Sequence, residues 1–408
     1  MQMSISMTVR EVIGEDAENC SSRSLLLDRF AHPESKDKIV EKLLRKSPFR
    51  EKSDSWIRWL RFGGLGLLPK DILVARLMAR MAVNASGGIL ENASLCLDRF
   101  GVAYIPGSAV KGCARRWAIH RLLEMRETGK QVEVLVSFLA DVALTFGWCE
   151  RDWVISDAAD SPLSDFVSAV GLEAWPNVLA QVRPLLKKGD ASKLADFGNF
   201  AGAVSFFPAY PLSWPHHDLE LDIIACHHPK YYSEPMEPDV QHTDRKWITW
   251  KAGHNQWASE WGNAPDTEEP NLVTFPTAAA GITFAFAALP LRCVRESLST
   301  PARKLHELAK EWLANGLAGF GVGAKTAAGY GWFEDVSTEH HDAWLLEDDL
   351  RHFRDAANRF ALMDNVQKDE LVLNLCERAD VCGLLRRHDR VRFQLLESYA
   401  QEQGVPLP

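Results

Sequence analysis

The chain has 408 residues, is 46% hydrophobic and carries a formal charge of −9, and it contains no apolar run of the length that spans a membrane. These values predict a soluble globular protein with one large or two ordinary cores, and they argue against an integral membrane protein. The N-terminal residues lack a secretory pattern and the eight cysteines include no CxxC pair, so we expect a cytoplasmic protein with reduced thiols and no zinc site.

The sequence predicts that the N-terminal part of the chain is an arm followed by a strand. Residues 1–60 are polar and charged and present no convincing core face. After a loop at Gly63–Pro69, apolar side chains occupy every odd position from Leu73 to Val83, while Arg76 and Arg80 fall on the even face. The period of two predicts a strand, although the same residues have high helix propensity. We expect the two arginines to form solvated salt bridges, with ligand contacts as the alternative.

The stretch Tyr104–Arg115, YIPGSAVKGCAR, predicts the end of a strand, a tight turn and the start of a helix. Ser108 is the expected N-cap, and the first turn carries Lys111. Because free N–H groups, a hydroxyl and a lysine at a helix N-terminus favour phosphate, we expect a phosphate site here. The alternative is a capped core helix with solvated basic residues. The predicted binding residues are Gly107, Ser108, Lys111, Gly112, Arg115 and Arg116, with Gly112 leaving room for a ligand or another backbone.

The middle of the chain combines helices with short strands. Apolar periodicity predicts helices at Val132–Phe146 and Trp175–Leu186, with an interruption at Asp157–Ser164. Residues 196–335 alternate short β-rich runs with Pro and Gly turns. The segment Tyr232–Pro270 is rich in Trp, Pro and acidic residues and predicts a long loop, of the kind that is usually functional or mobile.

The most distinctive stretch is Gly316–Phe333, GLAGFGVGAKTAAGYGWF, which contains six glycines. It follows a predicted helix at Pro301–Asn315 and precedes a short strand at Tyr330–Phe333. Helix, loop and strand in this order differ from a nucleotide phosphate loop or a dinucleotide fingerprint, and Ala324 stands where a phosphate loop needs glycine. Outward N–H groups in such a loop can bind an anion. The predicted phosphate-binding residues are Gly321, Gly323, Lys325 and Thr326, with Tyr330 either packing below the loop or stacking on a nucleobase. An ordinary turn and a nucleotide site are the alternatives.

The negative charge is concentrated at the C-terminal end. Residues 334–408 contain 16 acidic and 9 basic side chains, a charge of −7, which leaves −2 for the first 333 residues. Because charges act within a screening length of about 8–10 Å, a nearly neutral body with local basic clusters can bind a phosphate backbone. Helical patterning at Trp344–Phe360 and Lys368–Ser398 predicts a solvated helical cap. The alternative is a tail that binds a partner or repels RNA.

The order of these motifs resembles the RAMP superfamily of CRISPR effector proteins, and within it the sixth, terminal backbone subunit of type III-B Cmr complexes. The likeness covers about residues 60–335. Gly87–Leu97 resembles the family segment that leads into the Pro-Gly-Ser turn, and three later segments resemble family strands: Gly202–Pro211, Leu219–Tyr232 and Pro270–Leu289. The resemblance implies an α+β fold with a ferredoxin-like, RRM-related core, which is an antiparallel sheet with helices on one face, elaborated by insertions. This core would span residues 61–338 with an inserted helical lobe at about 119–195, between an arm at 1–60 and an acidic helical extension at 339–408.

The resemblance also implies a function. It suggests a non-catalytic RNA-binding subunit, without metal or cofactor, that caps the backbone of the complex near the 3′ part of the guide RNA. Its expected partners are guide RNA, target RNA and the other RAMP and small subunits, with no membrane, in antiviral defence. The alternative within the superfamily is a metal-independent endoribonuclease that processes guide RNA, with candidate residues His216, His217, His227, His228, Tyr231 and Tyr232. Adjacent histidines on a strand point to opposite faces, which argues against convergence on one phosphate.

Overall fold

The structure is a computed structural model that describes residues 22–26, 44, 51–63, 65–83, 95–155, 163–186, 198–226, 237–238, 250–251, 271–291 and 301–408. Most of the predicted interruption at Asp157–Ser164, most of the loop Tyr232–Pro270 and most of the segment Gly87–Leu97 lie outside these residues.

The described residues form short strands and longer helices. The strands are β1 (Ile72–Leu77), β2 (Val204–Phe206), β3 (Tyr210–Ser213), β4 (Leu219–Cys226), β5 (Glu237–Pro238), β6 (Trp250–Lys251), β7 (Asn271–Ala278), β8 (Thr283–Pro290) and β9 (Phe333–Asp335). The helices are α1 (Glu51–Phe62), α2 (Gly107–Glu127), α3 (Val132–Phe146), α4 (Asp165–Val170), α5 (Trp175–Leu186), α6 (Ala302–Gly319), α7 (Ser337–Arg359), α8 (Asn365–Cys376), α9 (Ala379–His388) and α10 (Arg390–Glu402). A single helical turn at Arg23–Leu25 and several 3-10 turns complete the described elements.

The main sheet is antiparallel, with the order β9-β1-β8-β2, and β3 also pairs with β8. Leu73 lies opposite Phe286, and Leu77 lies opposite Phe333, so β1 occupies the interior of the sheet. Helix α2 follows β1, and α6 connects β8 to β9. Strands β4 and β7 form a separate two-stranded ribbon, and β5 pairs with β6.

Strand β1 is buried on both of its faces. Its odd residues join the larger core with α2, α3 and α6, as the period of two predicts. Its even residues Ile72 and Val74 join a second cluster with Leu60 of α1 and, at the edge, Trp344 of α7. The even face is therefore polar only towards the end of the segment, where Arg76 and Arg80 form ion pairs with glutamate and aspartate residues, as predicted.

The expectation that residues 1–60 contribute no core face is wrong. Leu26 and Leu60 are fully buried. Arg23 is 2% exposed and forms a bidentate ion pair with Asp218, in which Nη2 lies 3.0 Å from Oδ1. Parts of this polar segment are thus integrated in the fold, because a few apolar side chains and one buried arginine find partners far away in the sequence.

The long helices agree well with the sequence pattern. Helices α3 and α5 have the predicted bounds, and α6 begins after Pro301 as expected. Helix α6 continues to Gly319, four residues beyond the predicted end. The predicted helical pattern after residue 339 is also confirmed: α7–α10 share their own core around Phe353, Leu385 and Phe393. Among the described helices, none combines the length and the apolar character that crossing a membrane requires.

Candidate nucleic-acid interface

The first predicted site lies where the chain leaves the sheet edge and enters α2. Ile105 pairs with Ala209 through two backbone hydrogen bonds of 2.9 Å, and the helix begins at Gly107. A Cβ atom at Gly107 would lie 2.4 Å from the carbonyl oxygen of Phe206, so glycine is required by the close crossing of β2. The N-cap is Pro106, and Ser108 is exposed in the first turn without a capping hydrogen bond. The predicted capping role of Ser108 is therefore wrong.

Lys111 extends from the second turn towards the segment before β2. Its Nζ donates a 3.1 Å hydrogen bond to the carbonyl oxygen of Ala201. Burial lowers the pKa of Lys111, and the nearby charge of Arg115 lowers it further. A Cβ atom at Gly112 would meet nothing within 4 Å, so no neighbouring backbone of the described chain explains this glycine, and the space beside it is open.

The two arginines that follow have different partners. Arg115 forms an ion pair with Asp165 at the start of α4, and its guanidinium lies 5.5 Å from the ring centre of Phe166. Arg116 is exposed and lies 4.6 Å from the ring centre of Phe320. Since a ring contact leaves most of the guanidinium N–H groups free, Arg116 is better placed than Arg115 to bind an added anion.

The glycines of the second predicted site mainly serve close packing. A Cβ atom at Gly321 would lie 2.7 Å from the carbonyl oxygen of Gly331, and one at Gly323 would lie 2.4 Å from that of Ala82. The amide of Gly321 donates to the carbonyl oxygen of Gly316 at 3.0 Å. Gly321 is buried and its N–H is used within the fold, so its predicted contact with phosphate is not supported by this geometry.

Lys325 occupies the tip of the same loop in a left-handed conformation, with φ 59° and ψ 27°. It is the single non-glycine residue of the described chain with positive φ, a conformation that is uncommon outside glycine. Its Nζ lies 4.6 Å from the ring centre of Phe275 on β7 and 5.7 Å from that of Tyr330. Lys325 is exposed and Thr326 half-buried, so the two rings hold a solvent-facing cation at a defined position.

Tyr330 fastens the loop to the β4–β7 ribbon. Its hydroxyl donates to the carboxylate of Asp222, which also lies 3.2 Å from the guanidinium of Arg80. The hydrogen bond to Asp222 raises the pKa of Tyr330, with a smaller contribution from burial. Burial opposes ionisation of Asp222, but the hydrogen bonds from Tyr330, the Ile223 amide and Arg80 together outweigh it and lower the pKa of that carboxyl. Tyr330 is thus held below the loop, which agrees with the packing role that was one of its two predicted roles.

The structure brings the two motifs into direct contact. A Cβ atom at Gly316 would lie 2.8 Å from the carbonyl oxygen of Cys113, so the small residues of α6 allow close approach to α2. The Cys113 thiol lies 3.5 Å from the carbonyl oxygen of Gly321, and burial raises its pKa to about 12. Arg116 of α2 adds to the contact between the two motifs, because its guanidinium lies over the ring of Phe320, directly after α6. No contact among the described residues joins Ser108 or Lys111 to Lys325.

The carboxylates that contact Arg115 and Tyr330 were not predicted from the sequence. Asp165 and Asp222 lie 50 and 108 positions from the residues they bind, and no local pattern marks them. His216 and His217 lie in an exposed turn between β3 and β4, so the expectation that they lie on a strand is wrong. The candidates His227, His228, Tyr231 and Tyr232 fall outside the described residues. Within the part of the chain that is described, no three His, Cys, Asp or Glu side chains cluster as metal ligands would.

Comparison with known proteins identifies a family to which the chain is similar. A family model for the RAMP superfamily matches residues 63–334, which include the main sheet, α2, α6 and the glycine loop. No curated protein matches the chain. Among solved structures, the chain is similar to a protein in a cryo-EM structure of the type III-B Cmr-beta bound to cognate target RNA, with 15% identity, 74% of this chain and 70% of that chain covered, and a TM-score of 0.36. It is also similar to Cmr6 from Pyrococcus furiosus, with 20% identity, coverage of 65% and 97%, and a TM-score of 0.28.

The fold is thus a mixed one, in which an antiparallel sheet carries helices on both faces. The family match covers well over half of the sequence and includes both glycine-containing motifs. The chain belongs to the RAMP superfamily.

Proposed function

We propose that this protein is a non-catalytic RNA-binding subunit of a type III-B CRISPR effector complex. In this proposal it is the sixth, terminal backbone subunit and caps the backbone near the 3′ part of the guide RNA. It contributes to target RNA binding in antiviral defence in the cytoplasm, and its protein partners are the other RAMP and small subunits.

The main support for the proposal is that three basic side chains on the two motifs have no carboxylate partner among the described residues. Lys111, Arg116 and Lys325 contact a carbonyl oxygen or aromatic rings, and none has a carboxylate at ion-pair distance among the described residues. Arg76 and Arg80, on the neighbouring strand segment, are both paired with carboxylates. A cation that is positioned but not neutralised retains its attraction for phosphate.

The fold supports the same proposal. We interpret β1, α2, β2 with β3, β8, α6 and β9 as a ferredoxin-like core, because a βαββαβ chain of that type has the strand order found here, with its fourth and first strands adjacent and its third strand beside the first. The helices between about residues 119 and 195 are then the inserted lobe. In this core the sheet face opposite α2 and α6 is covered by α1 and part of α7, whereas Arg116 on α2 and Lys325 in the glycine loop are exposed.

The proposed mechanism is capture of the RNA backbone. The surface around Lys111 and Arg116 contacts phosphates beside the start of α2, and Lys325 with Thr326 provides a second contact point at the loop tip. Such contacts position an RNA strand without reading its bases, because phosphates are the same at every nucleotide. Specificity for a sequence would come from pairing between guide and target.

Salt-dependent binding tests this mechanism. Lys111→Ala and Lys325→Ala should each weaken binding of unrelated single-stranded RNAs to a similar degree. Each should also reduce the slope of log K against log salt by about 0.7, the value for one phosphate contact on a single strand. The matched control is Arg121→Ala, because Arg121 is exposed on the same helix but is paired with Glu124 at 2.8 Å. A salt slope that stays at the wild-type value in both lysine variants would refute the mechanism.

The absence of catalysis has a separate test. Purified protein is incubated with repeat RNA in the presence of a chelator, and the products are analysed on a gel. We expect intact RNA. Site-specific cleavage that disappears in His228→Ala would instead identify a metal-independent endoribonuclease, the alternative that the sequence left open.

A further inference from the structure

A ladder of aromatic rings lies beside the start of α2. Tyr104 and Tyr210 are stacked at 5.3 Å between ring centres, and Tyr210 lies 5.1 Å from Trp56 of α1. Trp56 is stacked on Trp59 at 5.2 Å with the rings inclined by 20°, and Trp59 and Phe207 form an edge-to-face pair with their centres 6.0 Å apart. Burial raises the pKa of Tyr210 to about 12, so its phenol is neutral at physiological pH.

Trp59 is the exposed ring of this ladder, whose other four rings are half-buried. It is 41% exposed although it is held by Trp56 and Phe207. A ring that is fixed on two sides loses little conformational entropy when a ligand covers its remaining surface. Arg58, the adjacent residue, is exposed and has no carboxylate at ion-pair distance within the described chain.

Phe62 on the same helix provides an internal comparison. It is 42% exposed, almost the same as Trp59, but the guanidinium of Arg351 lies only 3.8 Å from its ring centre and that of Arg61 lies 4.6 Å away. The face of Phe62 is therefore occupied by cations. Among the described contacts, none places a cation over Trp59.

The ladder adjoins the basic surface that we assign to the RNA backbone. A Cβ atom at Gly107 would lie 3.3 Å from the carbonyl carbon of Phe207, so the ring partner of Trp59 belongs to the backbone segment against which α2 starts. Tyr104, at the other end of the ladder, precedes Gly107 by three residues. The ladder and the start of α2 therefore meet at Phe207, and bases stack on aromatic surface of this kind without regard to their identity.

We propose that Trp59 is a stacking site for an unpaired nucleobase of the bound RNA. The inference rests on the proposed function, because the base must belong to a strand whose phosphates the protein holds. Base stacking supplies affinity that phosphate contacts alone do not, and it depends on a flat ring surface and not on charge.

Two single-stranded ligands of equal length, one with bases and one without, distinguish base stacking from phosphate binding. The full-length protein is titrated with a short oligoadenylate and with the matching abasic ribose-phosphate strand, which has the same charges and no bases. Trp59→Leu keeps an apolar side chain against Trp56 and Phe207 but removes the ring. It should weaken oligoadenylate binding about tenfold or more and leave abasic binding unchanged. Trp59→Phe should restore part of the lost affinity.

Phe62→Leu is the control and should bind both strands as the wild type does. The stacking site is refuted if Trp59→Leu binds oligoadenylate normally, which is also the outcome if a protein subunit covers Trp59. It is equally refuted if both strands lose affinity to the same degree, because the variant then acts through structure or charge. If the wild type binds neither strand, the proposed function fails as well, so failures of the two proposals are distinguishable.

Discussion

Replacing Gly331 by alanine should disrupt the glycine loop. The new Cβ atom would lie 2.0 Å from the carbonyl oxygen of Val322, and distances below 3.0 Å are essentially never shown by real Cβ atoms. The obstacle is backbone, so no side-chain rotation relieves it. The φ angle of +69° adds about 1–2 kcal/mol of left-handed strain.

The clash forces the two segments of the loop apart. Two hydrogen bonds then weaken: the 2.9 Å bond from the Val322 amide to Gly331 and the 2.8 Å bond from the Gly331 amide to Arg80. At about 1 kcal/mol for each bond, the total loss in the free energy of unfolding is about 3–4 kcal/mol.

Gly329→Ala is the matched control for this prediction. Gly329 also has a positive φ of +90°, but a Cβ atom there would meet nothing within 4 Å. Its cost should be limited to the backbone strain of about 1–2 kcal/mol. Denaturant unfolding followed by tryptophan fluorescence measures both variants. Equal losses in the two variants would refute the assignment of Gly331 to close packing.

Two further predictions concern buried ionisable groups. Arg23→Met should lower the free energy of unfolding by about 3–5 kcal/mol, because it leaves the Asp218 carboxylate buried without its partner. Adding Asp218→Leu should recover much of the loss. Urea unfolding measures both variants, and an Arg23→Met variant as stable as the wild type would contradict this prediction. Burial lowers the pKa of His306 below its ordinary value of 6.5, so the unfolded chain binds the proton more readily than the folded one. The corresponding stability is complete above about pH 6.5 and is lost as the pH falls towards the folded-state pKa. His306→Gln should therefore flatten the loss of stability on acidification, measured by urea unfolding from pH 7 to pH 5, and an unchanged slope would count against a role for this histidine.

The sequence was most informative where structure depends on neighbours along the chain. Helices α3 and α5 have the bounds that apolar periodicity predicted, since a helix needs only a local pattern to align its buried face. The arginines at positions 76 and 80 form the expected salt bridges. The period of two in β1 located its inner face, but the same period could not show that α1 would cover Ile72 and Val74.

The glycine loop shows the opposite case. Its composition favoured an anion site with outward N–H groups, whereas the structure uses Gly321, Gly323 and Gly331 to bring backbone segments together. The end of α6 was predicted too early for the same reason. Gly316 and Gly319 look like the start of a loop, but they lie within the helix, where the absence of side chains lets Cys113 and Trp117 of α2 pack closely against them.

The sequence by itself determined most of the long helices and the positions of the two glycine-containing motifs, because these depend on local spacing and residue type, and the order of its motifs indicated the class of fold through a family resemblance. Only the tertiary structure decided which cations remain unneutralised. Arg115 meets Asp165, whereas Arg116 and Lys325 meet aromatic rings, and those partners come from distant parts of the chain. Charge at a surface depends on what lies within a few ångströms in space, and a linear pattern contains no record of that distance.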